Sequence, residues 1–451
     1  MVTAFTVSEP RHRPSKTFFN VATPTKTKLI SPRTGKKWNL ASVKKTLEFG
    51  SQPLVAGSKS LPSKSHSSTI LAPDASIEKE YYDCQKQLSS ILRAIPLSQY
   101  YISLNGILEN SSVIWELIVV VNDDDLENTI ESLAGIATKS IRIQCIAGDF
   151  TFAVEILDRP DWGMETRPSP GRSIGPEFGQ LTSNDGEIDS SGTLGGYVYG
   201  KQTRRIFGLT VRHLLISKPN QKLESVISIN QPSDPDFEKK VAAFSSACME
   251  SSTSEEYEYY KEQLEEIEKH KSTRLFGKVM HAIWSIVPNA FAPPNVNDFA
   301  LIQIEANCVG LNTLRIPDGA PFDHRVKGVA QPEKNGRVMK IGSVTGFSAG
   351  RVSSTQAFIY HEDFGCEISL GHTVDMNVSK GDSGSFMFNS KGEVVGMIVG
   401  AVKSSAVVFG SDEIVFSQGC FIIMEDALRW ASKALGEEVA IVREPAPATE
   451  F

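Results

Sequence analysis

The chain has 451 residues, 40% of them hydrophobic and 22% charged, with a formal net charge of −7, which suits one large core and a smaller one. Its longest apolar run, Val113 to Val121, is short and interrupted by Glu116, so no helix of the roughly 18 apolar residues needed to span a bilayer is expected. The six cysteines stand singly, without the paired spacing of zinc or redox sites, and neither a metal nor another cofactor is expected.

Charge is unevenly spread. Residues 1–75 carry 12 Lys/Arg against 3 Asp/Glu, leaving 34 against 50 for the remainder. This stretch is rich in Ser, Thr, Pro and Lys, shows no period of 3.6 or 2, and reads as a disordered basic tail. An organelle transit segment, a nuclear signal and a weak anion-binding arm compete with a plain solvated tail. A secretory signal peptide does not fit, because Pro10, Arg11 and Arg13 break the apolar stretch. Nucleic acid would rest on this tail alone and is not expected as a partner.

Residues 76–165 read as a small α/β domain. Ile77, Tyr81, Cys84, Leu88, Ile91 and Leu92 have helical spacing, and Trp115 to Val121 reads as a strand. Asn122-Asp123-Asp124-Asp125 offers capping groups for a helix over Leu126 to Ala137, with acids near its positive end. Strands over Ser140 to Ile146 and Phe150 to Ile156 follow. Folding or docking is a better role for this domain than a second active site. The Pro/Gly-rich stretch from Arg159 to Gly171 marks its boundary.

The third domain spans 166–437. Phe207 to Thr210 reads as a strand running into His213, and Asp298 opens the apolar run Phe299 to Ile304. Between them Ser251 to Lys271 carries seven glutamates among Tyr257, Tyr260 and Leu264, a helical composition that marks an insertion at about 251–285. A solvated acidic face is its plain reading; self-association, giving a homo-oligomer, or substrate docking is the sharper one. Gly381-Asp382-Ser383-Gly384 precedes the strand Ser385 to Phe388, Met424 to Leu435 has helical periodicity, and 438–451 forms a flexible tail.

Ser383 is the residue with chemistry to explain. A serine hydroxyl is a poor nucleophile, and it needs a base, a group to orient that base, and donors for the oxyanion that forms. Gly381 allows its own N–H and that of Ser383 to point at one spot. Taken singly, the tetrapeptide reads as a turn, His213 as a core histidine and Asp298 as a cap, with Asp234, Asp236 and Glu305 as rival acids. Taken together, they follow the order His, Asp, Ser.

These three segments resemble the histidine, aspartate and serine segments of trypsin-like, chymotrypsin-fold serine proteases, over roughly residues 170 to 435. Ser191 to Gly196, Gly342 to Gly350 and the Ser385 that follows the tetrapeptide bring the resemblance nearest to the intracellular plant narrow-leaf-type proteases and their fungal and bacterial relatives. The resemblance implies a mainly β fold, a chymotrypsin-like double β-barrel with a C-terminal helix, and endopeptidase action on protein or peptide substrates. It implies His213 as base and then acid, Asp298 as its orienting partner, Ser383 as nucleophile through an acyl-enzyme, the Gly381 and Ser383 amides as oxyanion donors, and Asp382 as a holder of the loop. It places Asn377 at the base of the primary pocket and Val399, Gly400 and Ala401 along its wall. A neutral substrate side chain is then expected, with Asp375 close enough to alter that.

Secreted relatives carry cysteines directly after the histidine and just before the serine loop, where this chain has Leu214 and Ser379. The location implied is intracellular, cytoplasmic or nuclear, with a mitochondrial alternative through the basic tail. Ile174 lies near where secreted relatives are cut for activation; no such cut is expected here. The alternative class is a catalytically silent protease-fold scaffold or peptide-binding regulator. Retention of every triad residue type favours the enzyme.

Overall fold

The computed structural model describes residues 47–49, 52–54 and, apart from 152–171 and several shorter stretches, residues 72–443. The expected disordered tail, all but residues 72–75 and the short strands 47–49 and 52–54, lies outside the described residues, as do 444–451, the whole Pro/Gly-rich boundary 159–171 and residues 152–156 of the strand expected over 150–156. The described residues fall in one compact unit.

Two closed rings of antiparallel strands make up most of it. In the first, β5 (Ser173–Pro176) pairs with β6 (Gly192–Thr193), which bends at Gly195 into β7 (Gly196–Gly200). The ring continues through β8 (Ile206–Thr210), β11 (Asn295–Ile304), β10 (Leu275–Val287) and β9 (Ser228–Asn230), which returns to β5. In the second, β12 (Arg337–Gly342), β13 (Gly346–His361), β14 (Cys366–Val374), β17 (Ile414–Ile423), β16 (Glu393–Ala406) and β15 (Phe386–Asn389) close back onto β12. Closure leaves neither ring an unpaired edge along its core strands. Helix α5 (Met424–Leu435) follows β17, buries Met424, Ala427, Leu428 and Ala431, and ends at Gly436, whose φ of 72° completes a left-handed cap. The last strand, β18 (Val439–Ile441), adds to β7. This is the double β-barrel with a C-terminal helix that the motifs implied.

The N-terminal elements form a layer on the second barrel. Helix α1 (Ala75–Leu92) starts at Asp74, whose carboxylate accepts from the Ser76 and Ile77 amides. Strands β1 (Gln99–Glu109) and β2 (Ser112–Val121) form a hairpin, and β3 (Ile141–Ala147) adds to β2 in parallel after helix α2 (Leu126–Leu133). The expected side-chain caps of α2 do not form. Asn122 instead bonds Ser98 and Gln99, because the hairpin brings it to the start of β1.

This layer does not keep a core to itself. Tyr100, Ile102, Leu104, Leu117, Val119 and Val121 pack beneath the helices, whereas Tyr101, Ile118 and Val120 join the main core. Both faces of the hairpin are thus buried, and β1 pairs with β13, Ile102 opposite Phe358. A short strand, β4 (Asp149–Thr151), pairs with β16 at Ala401 to Lys403.

Two buried polar groups sit at this junction, both on β14. The Glu367 carboxylate accepts from Gln85 Nε2 (2.8 Å), Ser89 Oγ (2.6 Å) and Tyr100 OH (2.8 Å), with the Arg93 guanidinium 3.7 Å away. His372 is fully buried, and neither ring nitrogen has a hydrogen-bond partner among the described residues. Burial alone pulls its pKa from 6.5 to about 3.

The helical insertion is larger and earlier than expected. Helices α3 (Asp234–Glu250) and α4 (Ser254–Lys269) pair as a hairpin, and the chain is a barrel strand again from Leu275. Helix α4 buries only Ile267 and exposes Tyr257 and Tyr259, as a solvated acidic helix does. The polar half of α3 hides it in the sequence: its buried residues are confined to Asp234, Pro235 and Phe237 in the first turn.

Glu367→Ala strands three buried donors and is expected to cost about 3 kcal/mol in urea unfolding. His372 binds a proton less readily folded than unfolded, so between about 6.5 and about 3 the unfolded chain holds the extra proton and stability is lost as pH falls, by of order 1 kcal/mol per unit from this group. Urea titrations at several pH values are expected to show a flatter acid decline in His372→Leu.

Candidate active site

Strand register brings the histidine and aspartate together. Thr210 at the end of β8 pairs with Ala300 of β11; continuing antiparallel, the chain at Arg212 and His213 passes Asp298. The Asp298 carboxylate is completely buried because β11 is flanked by β8 and β10. One oxygen accepts from the Arg212 amide (2.8 Å) and the His213 amide (3.1 Å); the other pairs closely with His213 Nδ1. A buried carboxylate needs such donors. They also fix the imidazole with Nδ1 toward Asp298.

The rival acids are used elsewhere. Asp234 binds Arg274 (2.6 Å) and Asn230 (2.9 Å), Asp236 accepts from Ser191 and Ser233 at the start of α3, and Glu305 is exposed after β11.

Ser383 sits in a loop built on two glycines at positive φ, Gly381 (91°) and Gly384 (95°). A Cβ at Gly384 would lie 2.2 Å from the Thr193 carbonyl and 2.3 Å from Thr210 Oγ1. The serine loop therefore backs directly onto β6 and onto β8, three residues before His213. The Thr193 amide donates to the Ser383 carbonyl (2.8 Å), and the Gly384 amide donates to Ile398 (2.8 Å). The N–H groups of Gly381 and Ser383 have no acceptor among the described residues. The Ser383 hydroxyl donates to the Val399 carbonyl at 3.3 Å.

Asp382 faces away from this chemistry. Its buried carboxylate accepts from the amides of Val344 (3.1 Å), Thr345 (3.1 Å) and Ser379 (3.0 Å) and from Thr345 Oγ1 (2.6 Å), and it pairs with Lys340 Nζ at 2.9 Å. Lys340 is itself fully buried on β12. Burial pulls its ammonium below the ordinary lysine range while Asp382 pulls the other way. Lys340, Thr193 and Ser343 were not singled out as site residues by the sequence, although Thr193 and Ser343 lie inside the segments Ser191–Gly196 and Gly342–Gly350.

Val399, Gly400 and Ala401, the expected pocket wall, are buried in β16, and the register shifts between Ile398 and Gly400, where the Val399 carbonyl meets the Ser383 hydroxyl. The next stretch of that edge, Ala401 to Lys403, is taken by β4. Asn377 is exposed; its amide donates to Ser348 Oγ (2.9 Å), and Met376 and Val378 turn into the second barrel's core. All six cysteines are free. Among the described residues no cluster of His, Cys, Asp or Glu is arranged to hold a metal ion.

Residues 175–407, more than half of the chain, match the family model of peptidase family S64. The chain belongs to that family. It is thus a protease by class, and the matched span runs from β5 to the end of β16, including His213, Asp298 and Ser383. Among solved structures it is similar to protease A of Thermobifida fusca (13% identity, TM-score 0.33, covering 62% of this chain and 100% of that one). It is also similar to a Cellulomonas bogoriensis chymotrypsin (14%, TM-score 0.31, 61% and 98%) and a Nocardiopsis protease (12%, TM-score 0.32, 61% and 99%). No curated protein matches the chain.

The Lys340–Asp382 pair gives the site an alkaline limit. Protons leave the Lys340 ammonium as pH rises toward a value below the usual lysine figure of about 10.4, and the Asp382 charge is then buried without its cation. The pH profile of kcat is expected to fall on the alkaline side with a midpoint below about 10.4, and Lys340→Arg, which stays charged, is expected to move that limb upward.

Proposed function

We propose that the protein is a serine endopeptidase acting through His213, Asp298 and Ser383. The observation that carries this reading is the Asp298 carboxylate, which takes both Arg212 and His213 amides and the His213 ring at once. Such a triple hold is more than a core histidine needs, and it fixes the tautomer that proton transfer requires.

The Ser383 proton turns from the Val399 carbonyl to His213 Nε2 as Oγ attacks a peptide carbonyl. The oxyanion is received by the Gly381 and Ser383 amides. His213 then gives its proton to the leaving amine, and water, activated by the same imidazole, hydrolyses the acyl-enzyme. Asp298 stays ionised throughout and stabilises the imidazolium. The small residues Val399, Gly400 and Ala401 beside Ser383 support a neutral substrate side chain. A silent scaffold would not need two unmet amides around a serine on a loop shaped by two positive-φ glycines, which favours the enzyme.

Labelling with a fluorophosphonate probe tests the reading. Wild-type protein is expected to label, Ser383→Ala not at all, and His213→Ala at least about a hundredfold more slowly. Folded wild-type protein that fails to label, or a Ser383→Ala variant that labels equally, would overturn it.

A further inference from the structure

The peptide at Gly381 is gripped from both barrels. Its carbonyl accepts from Thr193 Oγ1 at 2.8 Å and from Ser343 Oγ at 2.8 Å. Thr193 belongs to β6 of the first barrel; Ser343 follows β12 of the second. Both side chains are buried.

The protons account for this arrangement. A carbonyl oxygen has two lone pairs, and each hydroxyl has one proton to give. The Ser343 amide donates to Thr193 Oγ1 at 3.0 Å, so the Thr193 hydroxyl is supplied as an acceptor and its proton goes to Gly381. The 3.1 Å approach of the two hydroxyl oxygens needs no proton of its own. Thr193 is further tied by its main chain, its amide to the Ser383 carbonyl and its carbonyl to Thr210 Oγ1 (2.9 Å).

Gly381, like Gly384, has no Cβ and a positive φ (91°), but the Gly384 amide is held by Ile398 whereas the Gly381 amide has no acceptor among the described residues. Rotation there would turn its N–H away from that of Ser383. The next residue, Asp382, is anchored by four hydrogen bonds to its carboxylate and the Lys340 ion pair, and its amide donates to the Ser379 carbonyl (3.0 Å), so the two hydroxyls on the Gly381 carbonyl complete the hold on the 381–382 peptide, one Cα away from the Gly381 N–H.

We propose that Thr193 and Ser343 are positioning residues whose hydroxyls, one from each barrel, clamp the Gly381 carbonyl and so aim the Gly381 and Ser383 amides at a developing oxyanion. The inference rests on the serine protease reading above for its catalytic consequence, and on the two hydroxyl hydrogen bonds for the clamp itself. Neither hydroxyl touches substrate; each acts through the loop.

Steady-state kinetics on a peptide substrate, with melting temperatures and backbone NMR of the full chain, test it on Thr193→Val, Ser343→Ala and Thr193→Ser. In the first two, kcat is expected to fall about 10- to 100-fold with KM within about threefold, and the Gly381 and Ser383 amide signals are expected to move. Thr193→Ser, which keeps the donor, is expected to restore both. Unchanged kcat and unmoved amide signals in folded variants would overturn the clamp, as would failure of Thr193→Ser to restore what Thr193→Val loses. Wild-type protein without Ser383-dependent labelling would count against the serine protease reading alone, with the amide signals still deciding the clamp.

Discussion

The site depends on how little space separates the serine loop from the first barrel. At Gly384 there is no room for even one carbon beyond the backbone, because the Thr193 carbonyl and the Thr210 hydroxyl already occupy that space. Interiors packed at this density shift as wholes and do not deform locally. The contact therefore ties three things: the serine loop that leads into β15, the segment 192–200 of β6 and β7, and the end of β8 that leads to His213. Asp298 completes the arrangement from β11, where barrel register alone brings it beside residues 212 and 213.

Much of this was legible in the chain. His213, Asp298 and Ser383 stand in segments whose apolar patterns mark strand ends, and their order suggested a joint purpose. Helices α1 and α5 were readable from spacing, α5 to the residue. What stayed hidden has a common cause: it is settled by pairing between segments far apart in sequence. Nothing local distinguishes Lys340 from a surface lysine on a strand, and only the arrival of Asp382 explains its burial. Thr193 and Ser343 are 150 residues apart, and their hydroxyls acquire meaning only once the barrels meet. The hairpin of residues 99–121 did carry a signal, since its continuous apolar run is what a strand buried on both faces shows. Its partners, β13 and Glu367 of β14, had no local mark. Asn122 illustrates the reverse, a good capping residue that tertiary contacts put to another use.

The layer of residues 75–151 is fastened to the second barrel by unlike means. Apolar packing of Tyr101, Ile118 and Val120 supplies area, and β1 supplies backbone pairing with β13. Glu367 adds a buried charge whose donors all come from the layer, so its solvation by protein depends on the layer being in place. His372, without polar partners, is tolerated there only as a neutral ring.

The clamp at Gly381 has a consequence for when the chain acquires chemistry. A half-folded molecule with one closed barrel holds either Thr193 without its loop or the loop without Thr193, and in neither case is an oxyanion receptor assembled. Under the proposed mechanism, a newly made or partly unfolded chain is harmless to its neighbours, and hydrolytic power arrives in one step with the last element of tertiary structure.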